Sequence, residues 1–253
     1  MSYIDLQSAL QDWPYEPDKI SVRKILGADG KVRIQMRVEL GILQMEAAGR
    51  PDGQRPHQYE SLLDYYRAQL SRHEACNGTT LGFSLSKEDC HQLRLEASLY
   101  YRRYVAYYVL EEYPNVWRDT AHNLAISDLC RDYALEREDR LFLEEYRPYL
   151  IMMDARARAY HALEEGEPAS ALAHVNRGIL HIRTHLEQFG SPEALETCEE
   201  LKMLRHMSAQ LSKQMPKNSL LVTRKALRAA IEQERFEEAA RLRDELKNLY
   251  GPG

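Results

Sequence analysis

The sequence predicts a mainly α protein: a bundle-like helical body, a β-hairpin near the N-terminus and a helical hairpin at the C-terminus. Three observations carry this. From Tyr59 onward, apolar residues recur at steps of three and four, the spacing of a helix face. Strict alternation of apolar and polar residues occurs persuasively in one stretch, Lys31 to Leu40. Glycine and proline fall mostly between the periodic segments.

Residues 1–57 are expected to form a lead-in, a basic β-hairpin and a loop. Trp13-Pro14 and Glu16-Pro17 interrupt any early helix. Ser21 to Leu26 reads as a strand, Gly27 to Gly30 as a turn, and the alternating stretch as its partner. Val32, Ile34, Met36, Val38 and Leu40 occupy one face; Lys31, Arg33, Gln35, Arg37 and Glu39 occupy the other. A two-stranded ribbon is not stable alone, so its apolar face should lie on helices or on another chain. Gly41 to Pro56, with its glycines and prolines, reads as loop.

Residues 58–214 should be the helical body. One helix runs from Tyr59 to about Cys76. The next starts with Ser86 as N-cap and Asp89 three residues on. On it Leu93, Ala97, Tyr100, Tyr104, Tyr107 and Leu110 share a core-facing stripe. A helix is expected from Asn115 to about Glu138, and another near Arg140 that Pro148 kinks or restarts. Pro168 suits a first helical position, and Leu172, Val175, Ile179, Ile182 and Leu186 follow at steps of three and four. Ser191-Pro192 should open a helix carrying Leu195, Cys198, Leu201, Leu204 and Leu211. Residues 155–187 resemble one tetratricopeptide-type hairpin, through Tyr160, Leu163, Gly166, Ala171 and Leu172. No second copy follows at that period, and one antiparallel helix pair in a bundle accounts for the same residues.

Residues 220–250 read as two short helices. Leu227 and Ile231 share a face; Gln233-Glu234-Arg235 is a polar turn; Phe236, Ala239, Leu242 and Leu246 form the second stripe. Ala239 and Ala240 allow two backbones close together. The run Phe236-Glu-Glu-Ala-Ala-Arg-Leu-Arg-Asp244, with Leu227, Ala230, Ile231, Glu234 and Leu246, resembles the UVR motif, the helical hairpin of UvrB and UvrC in bacterial excision repair. Some Clp-type unfoldases and adaptors carry it too. The upstream chain resembles bacterial UVR-motif proteins of uncharacterised function. The resemblance implies a docking surface made by Leu227, Ile231, Phe236, Ala239, Ala240, Leu242, Arg243, Asp244 and Leu246. It implies a partner with its own UVR-type hairpin, or self-association through the same hairpin, in DNA repair or in Clp-type proteolysis and stress response. The plainer alternative is a hairpin that completes the fold.

Composition narrows the rest. The net charge of −5 argues against a surface built throughout for nucleic acid. Asp18 to Arg37 is locally basic, however, so Arg23, Lys24, Lys31, Arg33 and Arg37 are candidate nucleic-acid contacts, the runner-up reading. The tyrosines of the helical body are a further candidate, stacking on single strands. The four cysteines are far apart in sequence and expected to be free, buried thiols in a cytoplasmic protein. The N-terminus has no signal-peptide pattern and no run reaches membrane-span length. No phosphate loop, nucleotide fingerprint, nucleophile elbow or HExxH motif occurs, so neither catalysis nor a cofactor is expected. His174, His181 and His185, with His206 near, are a weak metal pattern more simply read as solvated. Glu111-Glu112 and Glu144-Glu145 read as solvated pairs.

Overall fold

A computed structural model describes residues 5–190, 193–214, 220–233 and 235–249; of these, the side chains of 214, 220–222 and 245–249 are not described. The chain is mainly helical with one small antiparallel sheet. After a single helical turn, α1 (Gln7–Leu10), come β1 (Val22–Leu26), β2 (Val32–Val38) and β3 (Gly41–Glu46), paired in that order. The ribbon therefore has three strands, and β3 lies where a loop was expected. Leu43 and Met45 sit opposite Met36 and Ile34. They extend the same apolar face by the period-two rule, a signal masked by the Gly and Pro residues that follow. The β2–β3 turn is only Glu39-Leu40, which leaves Leu40 almost fully exposed rather than on the apolar face.

The sheet lies on the helical body. Ile34 and Met45 are buried in one cluster with Tyr104, Tyr107 and Val116. A 3-10 turn at Pro56–Gln58 leads into α2 (Leu62–Asn77), then α3 (Lys87–Val109) and α4 (Tyr113–Tyr133). Ser61 caps α2 by accepting from the Asp64 N–H. Ser86 and Asp89 form the expected reciprocal capping box on α3. The tyrosine stripe is core-facing as the spacing demanded: Leu93, Ala97, Tyr100, Tyr104 and Tyr107 are all buried.

A short α5 (Arg137–Phe142) and a 3-10 turn (Glu144–Tyr146) precede α6 (Arg147–Glu164), so Pro148 restarts the helix in its first turn. α7 (Pro168–Phe189) pairs with α6 along its length. The predicted helix after Gly190 is broken: α8 (Ala194–Thr197) stops at Cys198, whose extended backbone separates it from α9 (Glu199–Gln214). Ser191 and Pro192 lie outside the described residues. α7 is wedged between α6 and α9 at Gly178. A Cβ there would stand 2.6 Å from the Ala155 Cβ and 3.0 Å from Leu204 Cδ1, so only glycine permits this approach.

Buried ions tie the sheet and its following loop to the helices. Arg103 pairs with Asp119 through two hydrogen bonds, Nε–Oδ2 at 2.7 Å and Nη2–Oδ1 at 2.9 Å. Its third nitrogen donates to the carbonyls of Glu46 (3.0 Å) and Gly49 (2.7 Å). Tyr107 donates to the Ala47 carbonyl at 2.5 Å. Glu96, buried, accepts from the Leu62 and Leu63 N–H groups at the start of α2 and lies 3.1 Å from His122. Residues 47–61 are thus anchored despite their loop composition.

The carboxylates of Glu144-Glu145 do not behave as a pair. Glu145 is exposed, but Glu144 is buried, taking hydrogen bonds from Ser127 (2.6 Å) and Arg147 (2.8 Å). Burial pushes its pKa up, and Arg147 and Ser127 outweigh that and hold it below the ordinary range. The expectation of a solvated face fails there because the 3-10 turn directs Glu144 inward. Among the cysteines, Cys90 and Cys130 are buried, Cys198 is half-buried and Cys76 is exposed; all are free. No helix among the described residues is long and apolar enough to cross a membrane.

Candidate protein-docking hairpin

α10 (Leu220–Glu232) and α11 (Phe236–Leu249) form the predicted helical hairpin. The Arg235 N–H donates to the Ala230 carbonyl at 2.8 Å and the Ala239 N–H to the Arg235 carbonyl at 3.0 Å, which closes the turn. Glu237 and Glu238 stand in the first turn of α11, where the helix dipole favours acids. Arg235 lies 2.5 Å from Glu238 and steadies that end.

Its apolar residues divide into two sets. Ala230, Ala239 and Leu242 are buried together, with Ala226 and Leu227 packed against them. The small side chains at 230 and 239 are what let the helices meet. Among the described residues, none of the sheet or of α2–α9 belongs to this cluster. The second set faces outward at the tip: Ile231 is 54% exposed and Phe236 71% exposed. Ala240 is also exposed. Arg243 and Asp244 pair with each other at 3.1 Å on an open face.

The structure divides the expected docking residues between interior and surface. Ala239 and Leu242 build the hairpin's interior, and half-buried Leu227 supports it. They are spent between the two helices because their stripes face one another. Ile231, Phe236, Ala240, Arg243 and Asp244 remain on the surface. The side chain of Leu246 lies outside the described residues, as does Glu234.

The basic ribbon differs from a free cationic face. Arg23 donates to Gln35 at 2.8 Å and to the Ala9 carbonyl, and stacks over Trp13 at 4.1 Å. Arg33 pairs with Asp29 and Glu46, each at 2.8 Å. Arg37 donates to the carbonyls of Trp13, Val38 and Gly41. Lys24 pairs with Glu112, and Gln35 is buried against Gln44. The lead-in segment engages Arg23 and Arg37, and acids engage Lys24 and Arg33. Of the five candidates, Lys31 is the one that remains exposed without an acid partner among the described residues.

The histidines do not converge. His185 is buried beside Glu144 at 3.5 Å, His174 accompanies Arg177, and His181 is exposed. Among the described residues no three His, Cys, Asp or Glu side chains are grouped to hold a metal ion.

Comparison with known families matches residues 217–251 to the UvrB/uvrC motif, UVR. No curated protein and no solved structure matches the chain. The C-terminal hairpin is thus a UVR motif, a unit that mediates protein interactions in UvrB and UvrC.

Proposed function

We propose that this is a non-enzymatic adaptor whose UVR hairpin docks a second protein through its exposed tip. One observation carries the reading: the hairpin seals Ala230, Ala239 and Leu242 inside itself and leaves Ile231 and Phe236 in water, with no body residue in its cluster among the described residues. A ring left so open gains free energy when another surface covers it, which makes Phe236 the natural anchor. Arg243, Asp244 and Ala240 would lie at the rim. The partner bears a UVR-type hairpin of its own or is a second copy of this chain, working in UvrABC-like repair or Clp-type proteolysis in the cytoplasm.

The test is affinity capture from the native host with three baits: wild type, Phe236→Asp, and a chain ending at Lys217. Sedimentation of each bait reports self-association. A UVR-bearing partner, or a dimer, should be present with wild type and lost with both variants, while the helical signal of Phe236→Asp stays that of wild type. Identical capture and sedimentation by Phe236→Asp would overturn docking through the tip.

A further inference from the structure

A cleft of about 490 Å³ opens between α3, α4, α5, the turn joining α5 to α6, α6 and the start of α9. Five aromatic rings line it: Tyr101, Tyr104, Phe142, Tyr146 and Tyr149. On one wall Tyr101 meets Tyr104 edge-on at 5.4 Å and lies 6.3 Å from Tyr149. On the other, Phe142 lies 6.0 Å from Tyr146. Tyr101, Phe142 and Tyr146 are each about half exposed.

The polar groups are unevenly charged. Among the described residues Arg94 is the one cation lining the cleft, and it is already engaged: it pairs with Asp139 and holds its guanidinium 4.9 Å over the Phe142 ring. Glu145 and Glu200 also line the cleft, and neither has a cationic partner among the described residues; Glu200 accepts only the Cys198 thiol, at 3.3 Å. Asn123 completes the lining. It is 5% exposed, and its Nδ2 donates to the Ala97 carbonyl at 2.9 Å. That leaves Oδ1 a buried acceptor without a partner, a state buried polar atoms rarely keep.

We infer that this cleft binds a small organic cation, an ammonium or amidinium on an apolar body, between the tyrosine walls and the two free carboxylates. The faces of aromatic rings are electron-rich and attract cations, more strongly as water is excluded. Glu145 and Glu200 add attraction of the same sign, and Arg94 cannot cancel it because Asp139 neutralises it. An apolar body fits because the lining is predominantly apolar. A neutral or anionic molecule of equal shape gains the apolar burial alone.

Calorimetric titration of the full chain with 2-phenylethylamine, 2-phenylethanol and 3-phenylpropionate tests this. The amine should bind at least about tenfold more tightly than the alcohol, and the acid more weakly still. Glu145→Gln with Glu200→Gln should remove most of that preference. Tyr101→Ala with Tyr146→Ala should weaken amine and alcohol alike. All four positions are partly open to solvent, so the variants should fold, as circular dichroism would verify. Equal affinity for amine and alcohol, a preference that survives the double glutamine change, or no heat from the amine at about 10 mM would overturn the assignment.

Discussion

Replacing Arg103 by leucine tests how the sheet is held to the helices. Arg103 is 1% exposed and Asp119 fully buried, so the change strands a carboxylate inside the protein with only Arg118, at 2.8 Å, to compensate it. It also orphans the carbonyls of Glu46 and Gly49. Removing one partner of a buried ion pair costs about 3–5 kcal/mol. For a chain of this size each kcal/mol lowers the melting temperature by roughly 2–4 °C, so a fall of roughly 6–20 °C is expected. Thermal melts followed at 222 nm measure it, and trypsin should cut faster within residues 47–61, where Arg50 and Arg55 lie. Removing both charges, Arg103→Leu with Asp119→Leu, should cost at least about 2 kcal/mol less than the two single changes added together. A fall under about 2 °C, or strict additivity, would refute the claim that this pair is the anchor.

Further outcomes follow from other buried groups. Burial pushes the Glu96 pKa up, but His122 and the Leu62 and Leu63 N–H groups outweigh it and hold it low. A depressed folded pKa means stability that is present above the ordinary glutamate value and lost as pH falls through the folded one. Glu96→Gln should therefore flatten the loss of stability on acidification, read as the urea midpoint at neutral pH against that below about pH 4. Gly178→Ala gains about 1 kcal/mol of helix propensity but collides with Ala155 at 2.6 Å; overpacking costs about 1–3 kcal/mol, so the variant should melt no higher than wild type, and a clear rise would show α6 and α7 to be looser than described. Leu242→Ala should cost the hairpin about 2–5 kcal/mol and speed amide exchange across 220–249, whereas Ile231→Ala, at an exposed site, should not. Equal effects from those two would erase the distinction between the hairpin's inside and its tip.

What the sequence disclosed was local or periodic. The Ser86–Asp89 cap needs only adjacent residues, and the tyrosine stripe from Leu93 to Tyr107 needs only one helix face, so both were legible. The UVR residues were legible as a motif, but their division into interior and tip was not. Ala239 and Leu242 share a stripe with Phe236, and only the crossing of α10 decides which of the three it covers. What escaped notice depends on contacts distant in sequence. β3 exists because Met45 completes a face begun by Ile34. The basic ribbon loses its free charge to Trp13, Ala9 and Glu112, none of which its own alternation reveals. The aromatic cleft draws on five helices and a turn, a convergence that no window of sequence contains.

The two ends of the chain treat their polar and apolar groups in opposite ways, and this contrast is what favours the tail in the proposed docking. The N-terminal ribbon is rich in cations, yet nearly all of them are turned to internal use, in ion pairs, carbonyl caps and ring stacking. Its charge holds the lead-in and the sheet to the body. The C-terminal hairpin does the reverse. Its helices use small residues to approach each other, so among the described residues only a small apolar cluster is hidden between them, and helices this short are marginal in water by themselves. Any surface that covers Ile231 and Phe236 therefore also stabilises the hairpin, by binding its folded form in preference to its unfolded one. The proposed docking and the folding of the tail would in that sense be a single equilibrium, with Phe236→Asp testing the first and Leu242→Ala the second.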